Sequence, residues 1–203
     1  MTCSRIAGVI LLLLIPAVGC KKSPQEASRT EQQPSPQEAS RAEQKPSPQA
    51  VPSPEQKKNQ EEARRKLEEL GLSYTEEAFL ESVKNGNAPA VKHFLAAGMN
   101  PNLKDNYGST ALMLAAEKGH TDTIQALLDG GANTEEKDGT GNTALIWAAG
   151  EGHLDTVKAL VAHGANVNAT NQSGRTPLRQ AEFIGRTNIV EVLRQAGAKD
   201  PQH

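Results

Sequence analysis

The chain of 203 residues carries 22 Lys plus Arg against 24 Asp plus Glu, two Cys and 3% aromatic residues, which is room for one domain or a small domain with appendages. A formal net charge of -2 excludes a strongly basic nucleic-acid binder. All six aromatics, from Tyr74 to Phe183, follow residue 70, whereas eight of the 12 Pro lie at or before Pro54, so a packed core is confined to the C-terminal two thirds.

The chain opens with a short basic start ending at Arg5, an apolar run Ile6 to Ile15, a breaker at Pro16 and the small residues Ala17-Val18-Gly19 before Cys20. Ten apolar residues make a helix of about 15 Å, half of a ~30 Å hydrocarbon core, so residues 1–19 read as a signal peptide. Ala17-Val18-Gly19-Cys20 resembles the lipobox of bacterial lipoproteins, with Ala17 where that family most often has Leu. The resemblance implies cleavage before Cys20 and lipidation of its thiol, and membrane attachment would then come from the acyl chains. Cys3 would leave with the signal, so the mature chain would have no free thiol and no disulfide. In lipoproteins of double-membraned bacteria, a residue such as Lys21 after the Cys, rather than Asp, implies the outer membrane. The expected location is therefore the cell envelope, facing the periplasm.

Residues 20–54 form a linker in which Gln25 to Pro36, QEASRTEQQPSP, is duplicated as Gln37 to Pro48, QEASRAEQKPSP, with ten identities. With no aromatic and no large aliphatic residue before Val51, this segment is expected to be disordered, a tether some 30 to 35 Å from end to end (about 35 residues). Ser53-Pro54-Glu55-Gln56 then reads as a capped helix start, and the charged run 55–70 as an amphipathic helix ended by Gly71. Its stripe of Ala63, Leu67 and Leu70 is expected to pack on the following domain.

From Gly71 to the end, residues 71–203, a period of 33 dominates. Gly108, Gly141 and Gly174 obey it, as do Thr110, Thr143, Thr176; Leu112, Leu145, Leu178; Ala115, Ala148, Ala181; and Gly119, Gly152, Gly185. Each Thr is placed to cap a first helix, each Leu with its Ala residues gives that helix one close-packing face, and each Gly ends it. A second helix follows, with Leu154, Val157, Leu160 and Val161 apolar in one unit, and Gly131, Gly164 and Gly197 stop it. The segments Gly108 to His120, Gly141 to His153 and Gly174 to Arg186 resemble the ankyrin repeat. The resemblance implies an all-α solenoid of about four stacked helix-turn-helix units with hairpin loops. The first unit, Thr75 to Met99, is degenerate, and its extra charges suit an exposed outer face. Arg186 and Arg194 suit a polar C-terminal cap. The repeat's T-P-L-H element is only partly kept, with Ala111 and Ala144 for Pro and Met113, Ile146 and Arg179 for His.

Chemistry is harder to find. No H-E-x-x-H, G-x-S-x-G or phosphate-binding G-x-x-x-x-G-K-[ST] occurs, and Gly139-Thr-Gly141-Asn-Thr-Ala144 sits in a repeat turn rather than after a strand. His120 and His153 fit backbone hydrogen bonds better than metal ligation, and Asp105 and Asp138 fit turn-opening roles. No catalytic residue, metal ligand or cofactor is expected, and no enzymatic activity. By resemblance to ankyrin proteins, a protein partner would be bound on the hairpin tips and inner helices: Asn106, Tyr107, Ser109, Glu117, Lys118, Thr140, Asn142, Trp147, Glu151, Gln172, Arg175 and Phe183. Tyr107 is expected to be exposed. Trp147 is open to two readings, packing between repeats or an interface anchor. The sequence thus points to a monomeric, membrane-anchored module for a periplasmic or envelope protein. A surface-exposed lipoprotein that binds host or neighbouring-cell proteins is the alternative.

Overall fold

The computed structural model describes residues 52–199; the expected signal peptide, the expected lipidation site Cys20 and the duplicated linker lie outside them. Among the described residues the elements are α1 (Pro54–Glu69), α2 (Glu76–Lys84), α3 (Ala88–Ala96), α4 (Ala111–Lys118), α5 (Thr121–Asp129), α6 (Ala144–Glu151), α7 (Leu154–Ala162), α8 (Pro177–Phe183) and α9 (Thr187–Gln195). No strand forms among them; one isolated antiparallel bridge joins Lys104 to Thr110. No described helix is long and apolar enough to cross a membrane.

Two rows of helices stack. The inner row is α2, α4, α6, α8 and the outer row α3, α5, α7, α9, each helix packing on its successor in the row and on its own partner. The inner row can pack closely because Ala115, Ala116, Ala148, Ala149 and Ala181 are buried at its contacts beside Leu112, Leu145 and Leu178. Phe94, Leu127, Leu160 and Leu193, fully buried, fill the outer row. The Thr caps form as the spacing predicts: Thr110, Thr143 and Thr176 accept from the amides of Met113 (3.3 Å), Ile146 (3.4 Å) and Arg179 (3.2 Å). Where the ankyrin-type His is replaced by Met113, the Thr110 amide meets its sulfur at 3.4 Å.

Neighbouring repeats are also hooked together through polar groups. His120 Nε2 donates to the Lys84 carbonyl and His153 Nε2 to the Glu117 carbonyl, both at 3.0 Å and each reaching into the preceding repeat. Side-chain oxygens of Asn102, Glu135 and Asn168 accept from the amides of Asn133 (2.7 Å), Asn166 (2.9 Å) and Lys199 (2.8 Å), again one repeat further on.

Helix α1 belongs to this stack. Its Ser53–Gln56 capping box forms, and it packs along α3 in line with the outer row. It ends as the outer helices do: the Leu72 amide returns to the Leu67 carbonyl, as Met99 does to Phe94 and Ala132 to Leu127, around a glycine of positive φ. The step from Gly71 to Gly98 is 27 residues instead of 33, so α1 is the outer half of a repeat shortened by six residues. The expected stripe is corrected at one position. The helix stops at Glu69, so Leu70 is the C-cap and 55% exposed, while Ala63 and Leu67 are buried.

Among the described residues, one buried side-chain polar group lacks a partner. The Thr123 hydroxyl is enclosed at 0% exposure with no hydrogen bond, whereas Thr156, one repeat later, pairs with Thr121 at 3.1 Å. A buried, unpaired hydroxyl is a net loss, so Thr123→Val is expected to stabilise the domain by about 1 to 2 kcal/mol. Thr156→Val should not, and urea midpoints of the two variants check the contrast.

Candidate interaction surface

The turns between repeats are built by local chemistry. Asp105 Oδ1 accepts from the amides of Tyr107 (2.9 Å) and Ser109 (3.0 Å), Asp138 Oδ1 from Thr140 (2.8 Å) and Asn142 (2.9 Å), and Asn171 Oδ1 from Ser173 (3.0 Å) and Arg175 (2.9 Å). Three similar turns therefore project beside the inner helices. The last two are tied directly: the Gln172 amide donates to the Thr140 carbonyl (3.1 Å), its side-chain amide to Gly139 (3.0 Å), and Asn171 Nδ2 to Asn142 (2.8 Å). Lys104 reaches Glu136 across the first gap at 2.8 Å.

Between turns and inner helices lie two recesses two repeats apart. The second, about 240 Å³, gathers Asn142, Ile146, Trp147, Gly150 and Glu151 with Asn171, Ser173, Arg175 and Gln180. It unites four of the residues expected from sequence, Asn142, Trp147, Glu151 and Arg175. Trp147 is half-buried there, its indole N–H donating to Asp138 Oδ2 at 2.8 Å. It is therefore fastened to its own turn and also lines the recess.

The other expected positions scatter along the same side. Tyr107 is 85% exposed at a turn tip and Phe183 is 75% exposed under the Arg175 guanidinium, 5.1 Å from its centroid. Glu117 and Lys118 pair at 2.9 Å, and this hydrogen bond raises the Lys118 ammonium above its ordinary value. Ser109, Thr140 and Gln172 spend polar groups on turn bonds, and Asn106 borders the first recess.

That first recess, about 590 Å³, was not expected. Glu76, Glu77, Leu80, Glu81 and Lys84 of α2 face Lys104, Asp105 and Asn106. The charges of the degenerate first repeat thus line an inner recess, not only an outer face as read from sequence. The available signal was register: Leu80 is 33 residues before Met113, and Glu81 33 before Leu114.

Partial burial pushes the Asp138 carboxyl upward, but hydrogen bonds from Thr140, Asn142 and Trp147 outweigh it and hold the group below its ordinary value. A depressed folded-state value adds stability above the unfolded value, near 4, and loses it as pH falls through the folded one. Between pH 7 and pH 2 the native chain should therefore lose more urea resistance than Asp138→Asn, and the Trp147 emission should shift as the turn loosens.

No group of three or more His, Cys, Asp or Glu able to hold a metal occurs among the described residues. Paired helices, projecting turns and an open inner side make one extended surface along the stack. A family model for ankyrin repeats in three copies matches residues 79–171 and 131–202, more than half of the chain. The chain belongs to the ankyrin-repeat family, and its all-α repeat solenoid is a protein–protein interaction module. No curated protein matches it.

Proposed function

We propose that the protein is a membrane-anchored adaptor without catalytic activity, tethered through lipid at Cys20 and holding an envelope protein on the inner side of its repeats. The observation that supports partner binding is the pairing of two recesses with two exposed aromatics, Tyr107 and Phe183, along one side of a hydrogen-bonded scaffold. Exposed aromatic anchors beside recesses are favourable to binding because they bury much area at little conformational cost. The anchoring reading rests on Arg5, the apolar run and Ala17-Val18-Gly19-Cys20. Two or more acyl chains, at ~0.8 kcal/mol per buried CH₂, would hold the chain on a membrane.

Mass spectrometry of the mature N-terminus tests the anchor: a diacylglyceryl-modified Cys20 is expected, and an unmodified N-terminus elsewhere would refute it. A photo-cross-linking residue at Tyr107 or Phe183, introduced in cells, tests the surface. Capture of one defined protein is expected from both sites and not from an outer-row position such as Lys158. Protease treatment of intact cells separates a periplasmic orientation, in which the protein is spared, from a surface-exposed one.

A further inference from the structure

The second recess holds more hydrogen-bond donors than the fold uses. Asn171 Nδ2 gives one hydrogen to Asn142 Oδ1 at 2.8 Å, and Asn142 Nδ2 gives one to Thr140 Oγ1 at 2.9 Å, so each amide keeps a second hydrogen. Arg175 is held without a carboxylate: its Nη1 donates to Gln180 Oε1 at 3.3 Å, its guanidinium lies over the Phe183 ring, and among the described residues it forms no ion pair. Its Nε and Nη2 hydrogens are left over.

Acceptors are fewer. Glu151 is the one carboxylate that lines this recess, and it does not pair with Arg175. Its charge also acts on Lys118 of the preceding inner helix, where it adds to the larger effect of Glu117 in favouring the ammonium. Asp138 has both oxygens committed, Oδ1 to Thr140 and Asn142 and Oδ2 to Trp147, and Glu182 of α8 is paired with Arg194 at 2.8 Å. The sequence also keeps room here. Gly150 lies inside α6 without a positive φ to account for it, and stands where Glu117 and Phe183 lie in the neighbouring repeats. A glycine inside a helix weakens it relative to alanine, but a Cβ at this position would meet Gln180 Cγ at 3.1 Å and Nε2 at 3.2 Å. The bare backbone lets Gln180 settle beside α6 and hold Arg175.

We propose that this recess receives the carboxylate of a glutamate or aspartate side chain from the partner protein. The carboxylate takes the free N–H groups of Arg175 and the spare hydrogens of Asn142 and Asn171, and its methylene stem lies against the Trp147 indole. A cationic side chain would be repelled by Arg175, and an apolar one would cover these donors without bonding them, a net loss. The second and third turns are already tied to each other and the indole to Asp138, so little order remains to be imposed on binding. This inference rests on the reading of the inner side as the partner surface and adds the chemistry of one subsite.

The probes are two blocked peptides, acetyl-Gly-Glu-Gly-Glu-Gly-amide and its counterpart with Gln for Glu, titrated at equal ionic strength into the ¹⁵N-labelled full chain. The glutamate peptide is expected to shift the side-chain amides of Asn142 and Asn171 and the Trp147 indole N–H, and the glutamine peptide to leave them in place. Arg175→Gln should weaken the glutamate peptide by about tenfold, whereas Glu151→Gln removes a like charge and should tighten it by about twofold. Both side chains are exposed, so thermal midpoints close to the native one are expected. No response to the glutamate peptide, equal response to both peptides, an equal affinity for acetate alone, or an affinity unchanged in either variant would overturn the inference. In cells, cross-linking from Tyr107 that is undiminished in Arg175→Gln overturns the carboxylate subsite but not the partner surface. Failure of capture from both Tyr107 and Phe183 overturns the surface itself, and capture lost in Arg175→Gln, together with the peptide response, supports both.

Discussion

Gly119→Ala is expected to destabilise the domain by roughly 2 to 5 kcal/mol, far more than the same change at Gly131. Both glycines end helices with positive φ, 71° at Gly119 and 86° at Gly131, so each substitution carries the left-handed penalty of about 1 to 2 kcal/mol. They differ in what lies above them. A Cβ at Gly131 meets nothing within 4 Å, whereas at Gly119 it strikes the ring of His153, including Nδ1, Cε1 and Cγ. That ring cannot swing away freely, because its Nε2 holds the Glu117 carbonyl of the preceding repeat. Overpacking of this kind adds about 1 to 3 kcal/mol. Urea denaturation of both single variants, together with Gly119→Ala in a His153→Ala background, separates the two contributions. Without the ring, the penalty at Gly119 should fall to that at Gly131, and a persisting difference would show that the crowding is not the cause.

The same residues explain why much of the fold was legible in the sequence. Thr110, Leu112, Ala115 and Gly119 each perform a local task, capping, filling, permitting approach and ending, and repetition at a fixed step exposes all four. The His120 and His153 bonds were anticipated as backbone contacts, although not that they bridge repeats. Properties that depend on pairs distant in sequence were harder to read. The Asp138–Trp147 bond spans nine residues with no motif to mark it, so both readings of the indole hold in part: it is fastened within its repeat and open to the recess. Helix α1 was read as a helix, but its place as the outer half of a repeat was hidden because that repeat is six residues short and has no inner partner. Counting Leu70 into its stripe followed from helical spacing alone, which does not say where the helix stops. The acidic recess was missed for a related reason: charges in a degenerate repeat look like surface until register places them opposite a turn.

Leu67→Ala should cost about 2 to 5 kcal/mol and release α1 before the rest of the stack. Leu67 is fully buried, and with Ala63 it is all that α1 buries completely. Around it, Tyr74 donates to the Ala97 carbonyl at 3.2 Å and receives the Arg64 guanidinium 4.6 Å from its centroid. The exposed Lys66–Glu62 pair contributes little. A polar 16-residue helix is marginal in water by itself, so the loss of its main apolar anchor leaves only Ala63, its cap and the Arg64–Tyr74 contact to order it. Leu70→Ala, at an exposed cap, is the control and should change stability by under about 0.5 kcal/mol. Because each unit of a solenoid rests mainly on its neighbours, protection from hydrogen exchange should vanish first in α1, then weaken in α3 where Phe94 becomes exposed, and stay highest across α4 to α7. If removing residues 52–70 leaves exchange in α3 unchanged, α1 is an ornament on the stack. If it opens α3, α1 is the terminal cap of the repeat stack, and the order of the outer row depends on it.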